Sequence, residues 1–135
     1  VIANQDIHFH PAAESSIASL DPLRWEELRQ LAGDAAPVFL AELISCYLEE
    51  TAQLLQSLQT AVTQADMMTL RRVAHAIKSS SASLGASTLA QLCRKIEQLS
   101  TIDACAVAAP YVAQAKAEFQ RVQAALQIEG QRYGA

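Results

Sequence analysis

At 135 residues, 51% of them hydrophobic and only four of them glycine, the chain is long enough for one domain with a real core and too short for two. A net charge of -4 and a pI near 5.3 lack the basic footprint of a nucleic-acid binder. Three cysteines, Cys46, Cys93 and Cys105, are odd in number and without Cys-x-x-Cys spacing, so they read as reduced, cytosolic thiols mostly packed in a core. No apolar run is read as long enough to span a membrane, and the start carries no signal-peptide pattern.

Residues 1–19 have no sustained period and read as a linker or N-terminal arm. His8 and His10 form a His-x-His pair, but two ligands without a third make a poor metal site. At Asp21-Pro22 a short helix begins, aspartate as N-cap and proline at the first helical position. Trp25, Leu28 and Leu31 give it one apolar face and Gly33 ends it, which suggests a lid over something larger. A second helix is predicted from Asp34 or Ala35 to about Gln64. Its stripe is Leu40, Leu43, Ile44, Tyr47, Thr51, Leu54, Leu58 and Val62, with Phe39, Leu48 and Leu55 beside it. Glu49 and Glu50, adjacent on that helix, point apart and read as solvated.

Asp66 is the predicted N-cap of a third helix and Gly85 its left-handed C-terminal residue. Ser79, Ser80, Ser81 and Ser83 are poor helix formers, yet Leu84 stays in phase with Ile77, so the helix is expected to run through them. Ser80 and Ser81 should lie toward the buried side. A fourth helix spans about Ser87–Leu99, with Leu89, Leu92, Cys93, Ile96 and Leu99 inward and Gln91, Arg94, Lys95 and Gln98 outward. A fifth spans about Ala104–Ile128 on Ala108, Tyr111, Ala115, Phe119, Val122 and Leu126. Pro110 requires it either to start near Ala108 or to kink. Residues 130–135 look frayed. With no strand alternation and very short turns, the expected fold is all-α: an antiparallel up-down-up-down four-helix bundle over residues 20–129 with a short N-terminal lid helix.

The third helix carries the candidate site. At about 100° per residue, Leu70, Val73, Ile77 and Leu84 turn inward and His75 points directly away from them. Its face is shared by Met68, Arg71, Arg72, Lys78, Ser79 and Ala82 at helical spacing. Cations flank the ring and small side chains follow it. That pattern suits an imidazole reached by a large partner and made to carry an anion.

Residues Ala74-His75-Ala76-Ile77-Lys78-Ser79-Ser80-Ser81-Ala82-Ser83-Leu84-Gly85-Ala86 resemble the signature Ala-His-x-Leu-Lys-Gly-Ser-Ser-x-x-Leu-Gly-Ala of histidine-containing phosphotransfer (HPt) domains. The likeness continues into Leu89, Leu92, Cys93, Ile96 and Glu97. Ser79 departs from the glycine usual after the lysine, which bears on how closely a partner can approach. The resemblance implies a four-helix bundle and a phosphocarrier: His75 takes a phosphoryl group from a receiver-domain aspartyl phosphate and passes it to another receiver aspartate. It further implies that Lys78 steadies the phosphoryl oxygens and that Met68, Arg71, Arg72, Ser79 and Ala82 form the docking surface.

No aspartates cluster near His75 in the sequence, so Mg2+ is expected from the receiver partner and no cofactor from this chain. By the same resemblance the domain is not an enzyme by itself and has no ATP site. Its expected partners are response-regulator receiver domains and possibly its own hybrid kinase, with no nucleic acid and no membrane contact. It is expected to be monomeric and cytoplasmic, and the valine at position 1 hints at a module of a longer sensor kinase. Two rival readings are a helical adaptor or oligomerisation bundle that never sees phosphate, and a metal enzyme with inward Glu and Glu-x-x-His ligands.

Overall fold

The structure, a computed structural model, describes residues 19–99 and 103–132. The His8/His10 pair lies outside them. Among the described residues five α-helices follow one another: α1 (Pro22–Ala32), α2 (Ala36–Thr63), α3 (Met67–Leu84), α4 (Ser87–Glu97) and α5 (Ala104–Arg132), with a 3-10 turn at Gly33–Ala35. Helices α2 to α5 close a ring in which α2 packs on α3 and α5, and α4 packs on the same two. This is the expected antiparallel four-helix bundle, and α1 lies across α2 and α3 as its lid.

The core is built from one stripe of each helix. Leu40, Ile44, Tyr47, Leu55 and Leu58 of α2 meet Leu70, Val73, Ile77 and Leu84 of α3. Leu89, Cys93 and Ile96 of α4 and Val112, Phe119, Val122 and Leu126 of α5 complete it. By length and composition the stretch Pro22–Thr63 would also pass as a membrane span, with a mean hydropathy of 1.4 over its most apolar window, which the sequence reading overlooked. The core helix of a globular bundle passes the same test, and here Leu40, Ile44 and Tyr47 are buried against the other helices.

Helix α3 is held at both ends by its own sequence. Asp66 Oδ1 accepts from Thr69 N at 3.1 Å and its Oδ2 from Thr69 Oγ1 at 2.7 Å, which satisfies an otherwise orphaned donor. The exit is a Schellman turn: Ala86 N donates to Ser81 O at 2.8 Å and Gly85 N to Ala82 O at 3.3 Å, with Gly85 at φ 101°. Lid helix α1 takes up the remaining carbonyls there. Asp21 N donates to Gly85 O at 2.7 Å, and Arg24 Nε to Ser83 O at 2.7 Å, where a cation also suits the negative end of the helix dipole.

The serine run stays helical because its hydroxyls are used. Ser80 Oγ bonds back to Ala76 O at 3.2 Å. Ser81, fully buried, meets the Tyr47 hydroxyl of α2 at 2.7 Å. Burial pushes the Tyr47 phenol up to about 12, so it stays protonated in this contact.

Several expectations need correction. Leu31 is 88% exposed, because positions three and six residues after Trp25 drift around the helix away from the buried indole. Helix α5 starts at Ala104 and carries Pro110 within it, where exposed Ala106 leaves its freed carbonyl to water. Val112 rather than Tyr111 is fully buried, and Lys95 Nζ lies 5.8 Å from the half-buried Tyr111 ring. The same helix continues past Ile128 to Arg132, with Gly130 buried, so the segment read as frayed is helical as far as it is described. Ser19, assigned to the arm, is buried. Helix α4 ends at Glu97. The cysteines are mostly in the core as expected, Cys93 and Cys105 being buried and Cys46 exposed. Glu118 is buried beside Arg121, whose Nε donates to it at 2.8 Å, a feature nothing in the periodicity announced.

Two variants test these supports. Gly85→Ala puts a Cβ at 3.2 Å from Arg24 Cβ and 3.3 Å from Asp21 O on a left-handed backbone. A loss of about 1–3 kcal/mol in urea unfolding is expected. Tyr47→Phe should cost about 1 kcal/mol and the double variant with Ser81→Ala less than the sum of the two single changes, because removing both partners leaves no buried hydroxyl unpaired.

Candidate functional site

His75 stands midway along α3 with Ala74 and Val73 buried beside it and its own side chain 59% exposed. The ring's orientation follows from the backbone: the inward stripe is occupied by Leu70, Val73 and Ile77, so the opposite face must meet solvent. Nδ1 of His75 lies 2.7 Å from Glu97 Oε2 on α4, and Nζ of Lys78, one turn on, lies 2.6 Å from Glu97 Oε1. No partner for Nε2 is found among the described residues, and the ring as a whole is more than half exposed.

Glu97 is the residue that the sequence reading passed over, naming it only within the family likeness. The chain reversal and the core packing together account for its position. An antiparallel hairpin reversing at Gly85-Ala86 sets side by side residues at nearly equal chain distances from the turn, as His75 and Glu97 are. Buried Cys93 and Ile96 then decide which face of α4 looks into the core, and Glu97 is left at the α3 seam, partly covered. The Lys78 ammonium, and after it the His75 ring, hold the Glu97 carboxyl below the usual carboxylate range against the opposing effect of desolvation. It is therefore an acceptor on both oxygens near neutral pH.

The predicted docking residues divide. Met68 is 84% exposed, and Arg72, Ser79 and Ala82 are exposed on the same face. Arg71 is also exposed, but its guanidinium is committed: Nε and Nη2 donate to Leu99 O at 3.1 and 2.6 Å. It closes the carbonyl end of α4 and pins the segment just beyond Glu97. Past Lys78 a groove of about 430 Å³ opens between α3 and α4, floored by Ser79, Ala82, Ser87 and Ala90 and walled by Gln91 and Arg94. A second groove of about 340 Å³, more apolar, is lined by Leu28, Phe39, Leu43, Cys46 and Leu84 on the α1/α2 side.

Chemically, the arrangement presents an exposed imidazole with one ring nitrogen against a carboxylate, an ammonium one turn away and a small-residue approach. No group of three metal-ligating side chains gathers among the described residues.

Comparison with known proteins agrees with the fold and with the histidine helix. The sequence model of the Hpt domain matches residues 42–125, which include α3 and α4 entirely and most of α2 and α5. Among solved structures, the chain is similar to the crystal structure of histidine-containing phosphotransfer protein B (HptB) from Pseudomonas aeruginosa PAO1. The identity is 28% and the TM-score 0.73, and the match covers 85% of this chain and 96% of that one. No match is found among curated protein sequences. With the family match spanning more than half its length, and with the bundle and the helix that carry it in place, the chain belongs to the Hpt domain family, the phosphocarriers of two-component phosphorelays.

Proposed function

We propose that His75 is the phosphorylated residue, that it accepts a phosphoryl group from the aspartyl phosphate of one response-regulator receiver domain, and that it passes it to the aspartate of another. The observation that carries this reading is the exposed ring with an unpartnered Nε2, on the helix that bears the family's signature. A neutral imidazole nitrogen is a competent nucleophile near neutral pH, and phosphoryl transfer asks mainly for in-line positioning and charge neutralisation.

Lys78 is the neutralising group this chain contributes. Its ammonium rests on Glu97 and lies one helical turn from the ring, within reach of an arriving phosphoryl oxygen. The receiver brings the acceptor or donor carboxylate together with Mg2+. It docks over Met68, Arg72, Ser79 and Ala82, whose small members let its surface approach; Arg71 serves that surface indirectly, by fixing the end of α4. The serine hydroxyl at position 79, where the family usually has glycine, narrows the approach by one side chain and offers a hydroxyl to the phosphoryl oxygens. The same chemistry serves a free-standing cytoplasmic carrier and a module of a hybrid kinase.

Incubation with a phosphorylated receiver should label the protein in an acid-labile, alkali-stable form. His75→Gln should abolish the label while leaving the circular dichroism unchanged, and Lys78→Met should slow labelling by about tenfold or more. Label that persists in His75→Gln, or a wild-type protein that no receiver labels, would end this reading and favour the helical adaptor.

A further inference from the structure

We propose that the groove between α3 and α4 is a second contact surface for the receiver, and that Arg94 on its wall selects the receiver by pairing with a carboxylate the partner carries. The inference rests on the reading of His75 as the phosphoryl carrier, but its evidence is the distribution of charge around the groove. Arg94 takes no part in the chemistry; it decides which partner can dock.

The chain has 10 lysines and arginines, and all but one of them have a counterpart among the described residues. Arg24, Arg29, Arg121 and Arg132 pair with glutamates of their own helices. Arg71 is spent on Leu99 O, and Arg72 lies within electrostatic reach of Asp66. Lys78 rests on Glu97, Lys95 on the Tyr111 ring and Lys116 on the Gln59 side-chain oxygen. Among the described residues Arg94, which is exposed, has no hydrogen bond, ion pair or ring contact. Its place gives that freedom a use. One turn before Glu97 on α4, it stands across the groove from Lys78, one turn after His75 on α3. No carboxylate lines the groove, and Glu97 already neutralises Lys78, so Arg94 is its net positive charge.

Continuity and charge together fix the occupant. Ser79 and Ala82 belong both to the groove and to the face over which the receiver docks, so a receiver seated at His75 reaches the groove's edge. An uncommitted guanidinium shaded by a partner loses water, and that cost is offset only when an anion meets it. A receiver with an aspartate or glutamate at this point is steered in and held by a charge-assisted, two-pronged hydrogen bond. One that presents a lysine or an apolar side chain leaves the cation unpaired and is rejected. The floor, Ala82 and Ala90, carries no long side chain, so a carboxylate from above can descend to the guanidinium. Selection of this kind acts on encounter and docking and leaves the transfer step as it is.

The test compares wild type with Arg94→Ala, Arg94→Lys and Arg94→Glu in transfer from the phosphorylated receiver that labels the wild type fastest. At about 20 mM salt Arg94→Ala should lower kcat/KM about 5- to 10-fold, through KM with kcat unchanged, and Arg94→Glu should lower it further. Arg94→Lys should recover most of the loss, and about 0.5 M salt should erase the differences. Labelling by phosphoramidate, which needs no docking, should run at the wild-type rate in all three variants. In 15N-labelled wild type, the unphosphorylated receiver should shift the amide signals of Ser87, Ala90 and Gln91, and Arg94→Glu should remove those shifts. Wild-type kinetics in Arg94→Ala at low salt, an equal loss with phosphoramidate, or groove amides that stay still each overturns the proposal. Shifts produced instead by inorganic phosphate, or by concentrating the protein alone, overturn it in favour of a free anion or a second copy. Failure of the carrier reading would show differently, as a wild-type protein that neither a receiver nor phosphoramidate labels.

Discussion

The chain reversal at Gly85 is the constraint on which the site depends. A left-handed residue there ends α3 in a Schellman turn and lets α4 start at Ser87, so the two helices run antiparallel with no slack between them. Register is thereby set, and Glu97 falls opposite His75. Lid helix α1 uses the same corner: it supplies Asp21 N and Arg24 Nε to carbonyls that the end of α3 leaves open, and its approach requires the absent Cβ. A loop a few residues longer at this point would let α4 slide, and the carboxylate would no longer meet the ring.

The polar network around His75 contributes little to folding. Solvent-exposed ion pairs are worth about 0–1 kcal/mol, and the ring here is more than half exposed. Stability comes instead from the continuous core, in which Leu40, Leu58, Leu70, Ile77, Leu89, Ile96 and Leu126 are fully enclosed. What the network has is geometry: an ammonium and an imidazole converge on one carboxylate, and the rigid helices beneath keep them there. Positions on the outer face of a packed helix are free of core demands, which is why reactive groups can be held there without destabilising the bundle. The buried pair of Tyr47 and Ser81 shows the opposite use of polar groups, a cross-helix bond shielded from water beneath the site.

Much of this was legible from residues alone. The caps at Asp21 and Asp66, the glycine stop at 85, and the inward stripe of α3 are local rules of spacing and capping, and the observed boundaries Met67–Leu84 agree with them. The exposure of His75 followed by subtraction from that stripe. Where only a short run of residues was available the reading failed, and Leu31 sits on the wrong side of a three-turn helix; at Pro110 two courses were open, and the helix runs from Ala104 through the proline because the packed stripe from Ala108 to Leu126 outweighs one missing hydrogen bond.

The sequence by itself therefore determined the helices, their buried faces, the outward imidazole and the lysine one turn from it, since each depends on periodicity within a single element. Only the tertiary structure decided the partners of those side chains: Glu97 bridging His75 and Lys78, Arg71 spent on the Leu99 carbonyl rather than left free, and Glu118 drawn into the interior. The reason is physical. Which face a residue occupies is a property of its own helix, whereas what it touches depends on how far a second helix is shifted along the first, and that shift is settled by packing across the whole core.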